Sequence, residues 1–494
     1  NPATGESSFT GLMSESDEVR IGRESHAEVL AQFGGAYEDP ELNRYLDSLG
    51  QLLARASDRP NLQYHFTVLD SPVVNAFATP GGYVYITRGL LALANSEAEV
   101  AGVLAHEIGH VAARHAAERQ SQAVLASLPG IFTGVVTGSD TLAQAVNSGA
   151  AAHLQSYSRD QEYQADLLGV RYLTRTNYDP LGMASFLQQL QSNDKLDSTI
   201  MGRPEMADQL SIMSTHPRTA DRIQRAIREA GGTQVANPIV ERDIFLSKID
   251  GLRYGDEPEQ GFIRDRQFLH PILRFAFAVP AGFHMMNTSD AVVAQRADGA
   301  AILLSSTQKF TSTSMIGYLT DEWAPRLQMA DAETIDVNGM EAATGSGQLE
   351  LKSGMRDVRL VAIRFDADTL FRFIFLTKAE QTGALARELQ ETTYSFRRLS
   401  PAEAARLRPQ AVRVVAVRAG DSVAKLASMM PFPDFRDERF RALNGLTLGD
   451  RFAPGQHVKI IVVCRPPRRR RGHGVPSGAW LAATDLGGAG ARLR

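Results

Sequence analysis

Apolar residues in PELNRYLDSLGQLLARAS recur at helical spacing. Leu42, Tyr45, Leu46, Leu49, Leu52 and Leu53 form one stripe, and the first 60 residues read as helices. The pattern then shortens to alternation. LQYHFTVLD, VVNAFATP and GYVYITRG read as strands, and Pro80-Gly81-Gly82 turns the last two into a hairpin. Helical spacing returns in NSEAEVAGVLAHEIGHVAARHAAE. Ser96 with Glu99 gives a capping-box signature, and Val100, Val103, Leu104 and Val111 give an apolar face. Further helices are expected over about 159–173 and 180–190, followed by a long polar, Met-rich loop at 191–215. RTADRIQRAIREAGG then reads as a helix ended by glycine.

From Phe262 to about Arg398 the chain alternates between strand-like runs (LRFAFAVP, AAILLSST, VRLVAIRFD, TLFRFIFLT) and helical segments near 314–328 and 379–392. This predicts an α+β domain. The pattern breaks around Gly231–Pro238, and again after the linker LSPAEAARLRPQ, beyond which a further unit begins near Val412. No repeat of fixed period is present. The expected divisions are 1–235, 236–400, 410–464 and a basic tail, 465–494.

Composition changes this picture little. The 494 residues are 43% hydrophobic and 22% charged, with a net charge of −4, so nothing global points to nucleic acid. The one basic cluster, RPPRRRR, lies in the Gly/Pro-rich tail and reads as a solvated, disordered end, with contact to an anionic polymer or membrane as the alternative. A single cysteine, Cys464, excludes an internal disulfide and a cysteine-rich metal knuckle. The chain starts without Met, as a processed or trimmed leader would leave it, and it has no unbroken apolar run of about 20 residues. Gln120–Ser139 is uncharged but interrupted by Pro129, Gly130, Gly134 and Gly138. It fits a cleft cover, a membrane-surface segment allowing peripheral association, or plain packing.

The candidate chemistry lies in GVLAHEIGHVAARHAAERQ. His106 and His110, four apart on a helix, can point two imidazoles at one ion. Zinc takes such nitrogen ligands in a tetrahedral array and keeps one position open in catalytic sites. Glu107 projects beside the pair, where it can take a proton from a water activated by the ion. A third ligand is needed. His115 lies five residues beyond His110, where a straight helix turns it away, and Ala113 and Ala116 do not fit the metzincin spacing. His115 therefore reads as a structural or outer-sphere histidine. SYSRDQEYQADLLGV offers Glu162 as the better third ligand, with Asp166 one turn on to accept the Nδ1–H of a ligating histidine.

HEIGH, SRDQEYQADLLG, NAFATPGGYVYITRGLL and STHPRTADRI, in that family's characteristic set, resemble the zinc metallopeptidases of the HtpX and CAAX-prenyl-protease family, a gluzincin group, nearest to their soluble periplasmic BepA-like branch. The likeness covers roughly Asn1–Ala230. It implies one Zn2+ per chain on His106, His110 and Glu162, with Glu107 as base and Asp166 behind a ligand. It also implies that Asn75, Ala76, Phe77 and Ala78 form the edge strand against which substrate lies. The fold expected is a mainly helical zincin-type protease domain with a small edge-stranded sheet. Relatives in this branch continue into tetratricopeptide helices, which this chain lacks, and NPATG resembles the mature start of exported relatives without their lipidated cysteine.

VVAVRAGDSVAKLASMM…FRALNGL…FAPGQHVKI resembles a LysM module, a small β-α-α-β unit. Val417, Gly420, Asp421, Leu426, Leu443, Asn444, Pro454, Gly455 and Gln456 fall on its pattern. That resemblance implies peptidoglycan as a partner, or a scaffold role alone; an apparent core of its own, beyond a Pro-containing linker, predicts a module separable from the protease.

These features together predict a zinc endopeptidase of the periplasm or cell envelope, or one associated with the outer membrane, cleaving unfolded or misassembled proteins. The alternatives are a zinc hydrolase of peptidoglycan peptides and a chaperone-like binder with little turnover. His216, held extended by Pro217, reads either as a cap of the next helix or in one of two roles at the ion. It could donate to an oxyanion with Arg218, or fill the fourth metal position and keep the enzyme latent; the latent arrangement is the one expected at rest.

Overall fold

The computed structural model describes residues 3, 13–118, 157–200, 225, 228, 235–287, 291–351 and 354–464. Among these, residues 3–255 and 410–464 make one compact unit and 256–409 a second.

In the first unit, α1 (Glu15–Gln32) and α2 (Pro40–Arg55) precede a three-stranded sheet. The α2 stripe buries Leu42, Leu46, Leu49 and Leu53, while Leu52 is left 38% exposed at the margin. The strands β1 (His65–Leu69), β2 (Ala76–Thr79) and β3 (Tyr83–Thr87) lie in the order β1-β3-β2. β3 is parallel to β1 and forms the expected hairpin with β2, in the register Phe77↔Tyr85. β2 is thus an edge strand of this sheet. Gly81, at φ 80, lets the hairpin turn lie against α1, where a Cβ would meet the Glu18 carbonyl oxygen at 2.7 Å.

After the short α3 (Arg88–Leu93) comes α4 (Glu97–Ala112), the centre of the unit. Every residue from Ala98 to Ala112 is buried. The single apolar face expected of α4 is therefore too modest: a helix enclosed on all sides must be apolar or small nearly all round. Its cap also differs in detail. Ser96 accepts from Glu99 N as expected, but the Glu99 carboxylate turns to Asn95 N at 2.7 Å, one residue before the cap.

α5 (Arg159–Arg175) and α6 (Leu181–Ile200) pack against α4. α6 corrects the sequence reading, because residues 191–200 continue the helix rather than forming a loop. The buried positions of its last turns include Asp194 and Ser198, so polarity hides the period there. The glycine-ended helix expected at 218–232 lies outside the described residues except for Arg225 and Arg228. α7 (Arg242–Ile249) buries Phe245, Leu246 and Ile249 in the first unit's core, and β4 (Arg253–Tyr254) follows. The boundary therefore falls after 255 rather than at 235.

The second unit is α+β. Its seven-stranded sheet uses β8 (His284–Asn287), β9 (Ala291–Gln295), β10 (Ala301–Thr307), β11 (Glu333–Val337), β12 (Met340–Leu351), β13 (Gly354–Arg364) and β14 (Leu370–Thr377). The order is β11-β12-β13-β14-β10-β9-β8. A smaller sheet joins β5 (Phe262–Arg264), β6 (Gln267–His270), β7 (Phe275–Ala278) and β15 (Arg397–Arg398). α8 (Ala379–Ser395) packs on this assembly through Leu385 and Leu389. The helix expected near 314–328 is reduced to two short turns between Met315 and Trp323.

Residues 410–464 run strand, helix, helix, strand: β16 (Gln410–Ala416), α9 (Val423–Ala427), α10 (Arg436–Asn444) and β17 (His457–Val463). β16 pairs with β17 on one side and β4 on the other. The expected separability of this segment fails. Val412, Leu426, Phe440, Val458 and Ile460 lie in the same apolar cluster as Leu90, Val100, Leu104 and Phe186. No described helix is long and apolar enough to cross a membrane.

Candidate metal centre

α4 brings His106 and His110 onto one face, with their rings edge to face and centroids 4.7 Å apart. Their Nε2 atoms are 3.1 Å from each other. α5 supplies the third group: Glu162 Oε2 lies 3.6 Å from His106 Nε2, and its Oε1 lies 3.4 Å from His110 Nε2. All three side chains are buried, and this is the one three-residue His/Cys/Asp/Glu cluster among the described residues whose ligand atoms converge. Metal–ligand bonds of about 2.0–2.1 Å at tetrahedral angles place ligand atoms about 3.3 Å apart. The 3.1 Å between the two Nε2 atoms and the 3.4 Å from His110 Nε2 to Glu162 Oε1 lie close to that spacing, and the other carboxylate oxygen, Oε2, stands 3.6 Å from His106 Nε2.

Glu162 reaches the histidines because α4 and α5 cross closely. A Cβ on Gly109 would stand 3.0 Å from the Ala165 carbonyl oxygen, and one on Gly169 would stand 3.2 Å from the backbone nitrogen of His106. α5 also starts at a fixed point, with Ser158 and Gln161 forming a reciprocal capping box.

Electrostatics follow from the same packing. Burial alone would lower the pKa of His106, but hydrogen bonds to Asp166 and Glu162 override it and push the value up to about 10. Burial pulls His110 well below the usual histidine value despite Glu162. One proton is thus held in the centre, and a metal would compete with it for His106 Nε2. His106 Nδ1 lies 2.9 Å from Asp166 Oδ1. Glu107 is 1% exposed, on the turn of α4 between the two histidines.

Asn75, Ala76 and Phe77 are buried and Ala78 is half-buried along the edge strand. Ala78, Thr79 and Pro80 share a small pocket with His110, Arg114 and Tyr157, so the end of this strand approaches the centre. His216, Arg218 and the Gln120–Ser139 stretch lie outside the described residues.

One contact escaped the sequence reading. Tyr157 stacks on the His110 ring, with centroids 4.0 Å apart and planes at 21°. His115, expected as a structural or outer-sphere histidine, lies behind His110; the straight helix assumed for it does not continue, because α4 ends at Ala112 and Arg114 turns the chain at φ 59. A non-glycine residue between two helical stretches gives little warning of such a turn.

A buried His-His-Glu triad, with a glutamate following the first histidine on a helix, has the donor set and spacing that could hold a metal ion. Comparison with known proteins points the same way: residues 40–230 match the model of peptidase family M48. The chain is 32% identical over 216 residues to a putative beta-barrel assembly-enhancing protease of Vibrio cholerae, covering 42% of this chain and 43% of that protein. It is 30% identical over 221 residues to the beta-barrel assembly-enhancing protease of Escherichia coli, with the same two shares, 42% and 43%. The mitochondrial metalloendopeptidase OMA1 of Schizosaccharomyces pombe is 27% identical over 221 residues, which cover 42% of this chain and 59% of that protein. The chain thus spans less than half the length of the bacterial relatives it matches, and the family resemblance seen in the motifs is borne out.

Proposed function

We propose that the chain is a zinc-dependent endopeptidase of the bacterial cell envelope, acting on unfolded or misassembled proteins. The observation that carries this reading is the spacing of the three buried ligand atoms on α4 and α5. His106, His110 and Glu162 would hold the ion, in a donor set of two nitrogens and a carboxylate oxygen that suits zinc. When bound, zinc supplies Lewis acidity, which polarises a carbonyl oxygen and makes water a stronger nucleophile near neutral pH. Glu107 takes the proton of the attacking water at its carboxylate and returns it to the leaving amine nitrogen as the C–N bond breaks. β2 offers main-chain donors and acceptors to an extended substrate, a mode that suits unfolded chains. The envelope setting is supported by the names of the bacterial relatives.

The test compares wild type with Glu107→Gln and Glu162→Ala on casein, beside purified peptidoglycan. Glu107→Gln should keep its zinc and lose activity by about 100-fold or more, the contribution expected of a positioned base. Glu162→Ala should lose both zinc and activity. Wild-type cleavage by either variant sinks the proposal, and release of peptidoglycan fragments without casein cleavage would redirect it to a cell-wall hydrolase.

A further inference from the structure

The two ligating histidines are backed differently. Each turns its Nε2 toward Glu162 and its Nδ1 away from it. Behind His106 stands a carboxylate, Asp166, at 2.9 Å. Behind His110 stands another imidazole, with His115 Nδ1 2.9 Å from His110 Nδ1. His115 is fully buried, and its Nε2 lies 3.0 Å from Gln164 Oε1 on α5.

The direction of these bonds follows from the last contact. An amide oxygen accepts only, so His115 Nε2 must carry the hydrogen. A neutral imidazole protonated there has a lone pair on Nδ1, which then accepts the Nδ1–H of His110. His110 is left with its Nε2 lone pair facing His106 and Glu162. The reverse polarity would put a hydrogen on His110 Nε2, in the place a metal must occupy.

We propose that His115 and Gln164 form a relay that fixes the metal-binding tautomer of His110, a positioning role equivalent to that of Asp166 toward His106. This rests on the metallopeptidase reading of the site. The surroundings hold the relay in register. Arg114, in the left-handed region at φ 59, turns His115 back under the helix end. Its guanidinium is tied to α1, 2.5 Å from Glu18 Oε1 and 2.7 Å from the Met13 carbonyl oxygen. The Tyr157 ring lies against the face of His110. An imidazole in place of a second carboxylate adds no negative charge to a buried site that already holds Glu107, Glu162 and Asp166.

The experiment measures zinc dissociation constants of the full chain by competition with a chromogenic chelator, with far-UV circular dichroism as the check on folding. His115→Phe keeps a buried ring of similar size but removes both nitrogens. Gln164→Leu removes only the acceptor, from a half-buried surface position. Each should weaken zinc binding by roughly 10- to 100-fold, the effect of losing an outer-sphere partner. His115→Asn, whose amide oxygen can take the place of Nδ1, and Gln164→Glu, which still accepts, should bind close to wild type. Wild-type affinity in folded His115→Phe or in Gln164→Leu overturns the relay. The same result with zinc lost from His106→Ala would leave the metal centre standing. A wild type that takes up no zinc would instead defeat the metallopeptidase reading.

Discussion

Lys459 Nζ lies 2.6 Å from the carbonyl oxygen of Ala94, and 2.8 Å from those of Ala92 and Leu93. These are the last carbonyls of α3, which have no partner within their helix, and they lead into the cap of α4. Three acceptors need three N–H donors, which only the ammonium form carries. Burial lowers its pKa well below the usual lysine value, while Glu99 works the other way. Lys459→Met should leave the Ala92 and Ala94 carbonyls without this donor, while Leu93 O keeps Asn95 Nδ2 and Gln189 Nε2, and should cost roughly 2 kcal/mol, read from the denaturant midpoint of the first unit. Truncation at residue 409 should give an insoluble or unfolded peptidase, and a soluble truncated protein with normal zinc content would contradict this account.

Gly109 faces Ala165 across the α4–α5 crossing, where a Cβ would stand 3.0 Å from the Ala165 carbonyl oxygen. Gly109→Ala forces α5 back by a few tenths of an ångström, because the obstacle is backbone rather than a flexible side chain. The expected cost is about 1–3 kcal/mol of stability, as for other overpacked cores, with weaker zinc binding because Glu162 retreats with α5. Calorimetry and chelator competition read the two effects separately. Unchanged zinc affinity would show that α5 yields without moving Glu162.

Much of this centre was legible because it depends on local spacing. Two histidines four apart, and Glu162 and Asp166 four apart on a capped helix, announce themselves in any reading of period. The hairpin of β2 and β3 was equally plain from its Pro-Gly-Gly turn. What stayed hidden depends on distant partners or on broken period. Lys459 finds its acceptors 365 residues away, and nothing local distinguishes it from a surface lysine. The inner face of α6 carries Asp194 and Ser198, so its end read as loop. The return of His115 depends on a single left-handed arginine.

Asp166 should matter through the metal rather than the fold. Asp166→Ala removes the acceptor for His106 Nδ1–H and should weaken zinc binding about 100-fold, while Asp166→Asn keeps an acceptor oxygen and should cost about 10-fold. Equal affinity in all three proteins would remove Asp166 from the site.

The second unit carries its own acid sensitivity. His270 is 1% exposed, lies against Phe275 and accepts from Leu273 N at Nδ1. Burial pulls its pKa to about 3, against a hydrogen bond with the Glu259 backbone. Between the usual histidine value, about 6.5, and 3, the unfolded chain binds one more proton than the folded unit. The stabilisation is therefore complete above 6.5 and is lost progressively as pH falls toward 3. By pH 5 the loss should be about 2 kcal/mol. Urea unfolding followed by Trp323 fluorescence should show that slope in wild type and a flatter one in His270→Phe. Parallel slopes would assign the acid response elsewhere.

Because the first unit is assembled from residues on both sides of 256–409, its core is not a stretch of chain that can close as it is made. On a ribosome, the second unit is contiguous and emerges whole, while α3 and α4 wait for β17 to arrive from the far side. The order of synthesis thus runs opposite to the order of completion. The residues that would cut peptide bonds come early, and the packing that steadies their helix comes near the end, so a partly made chain is a poor protease in the company of other unfolded chains.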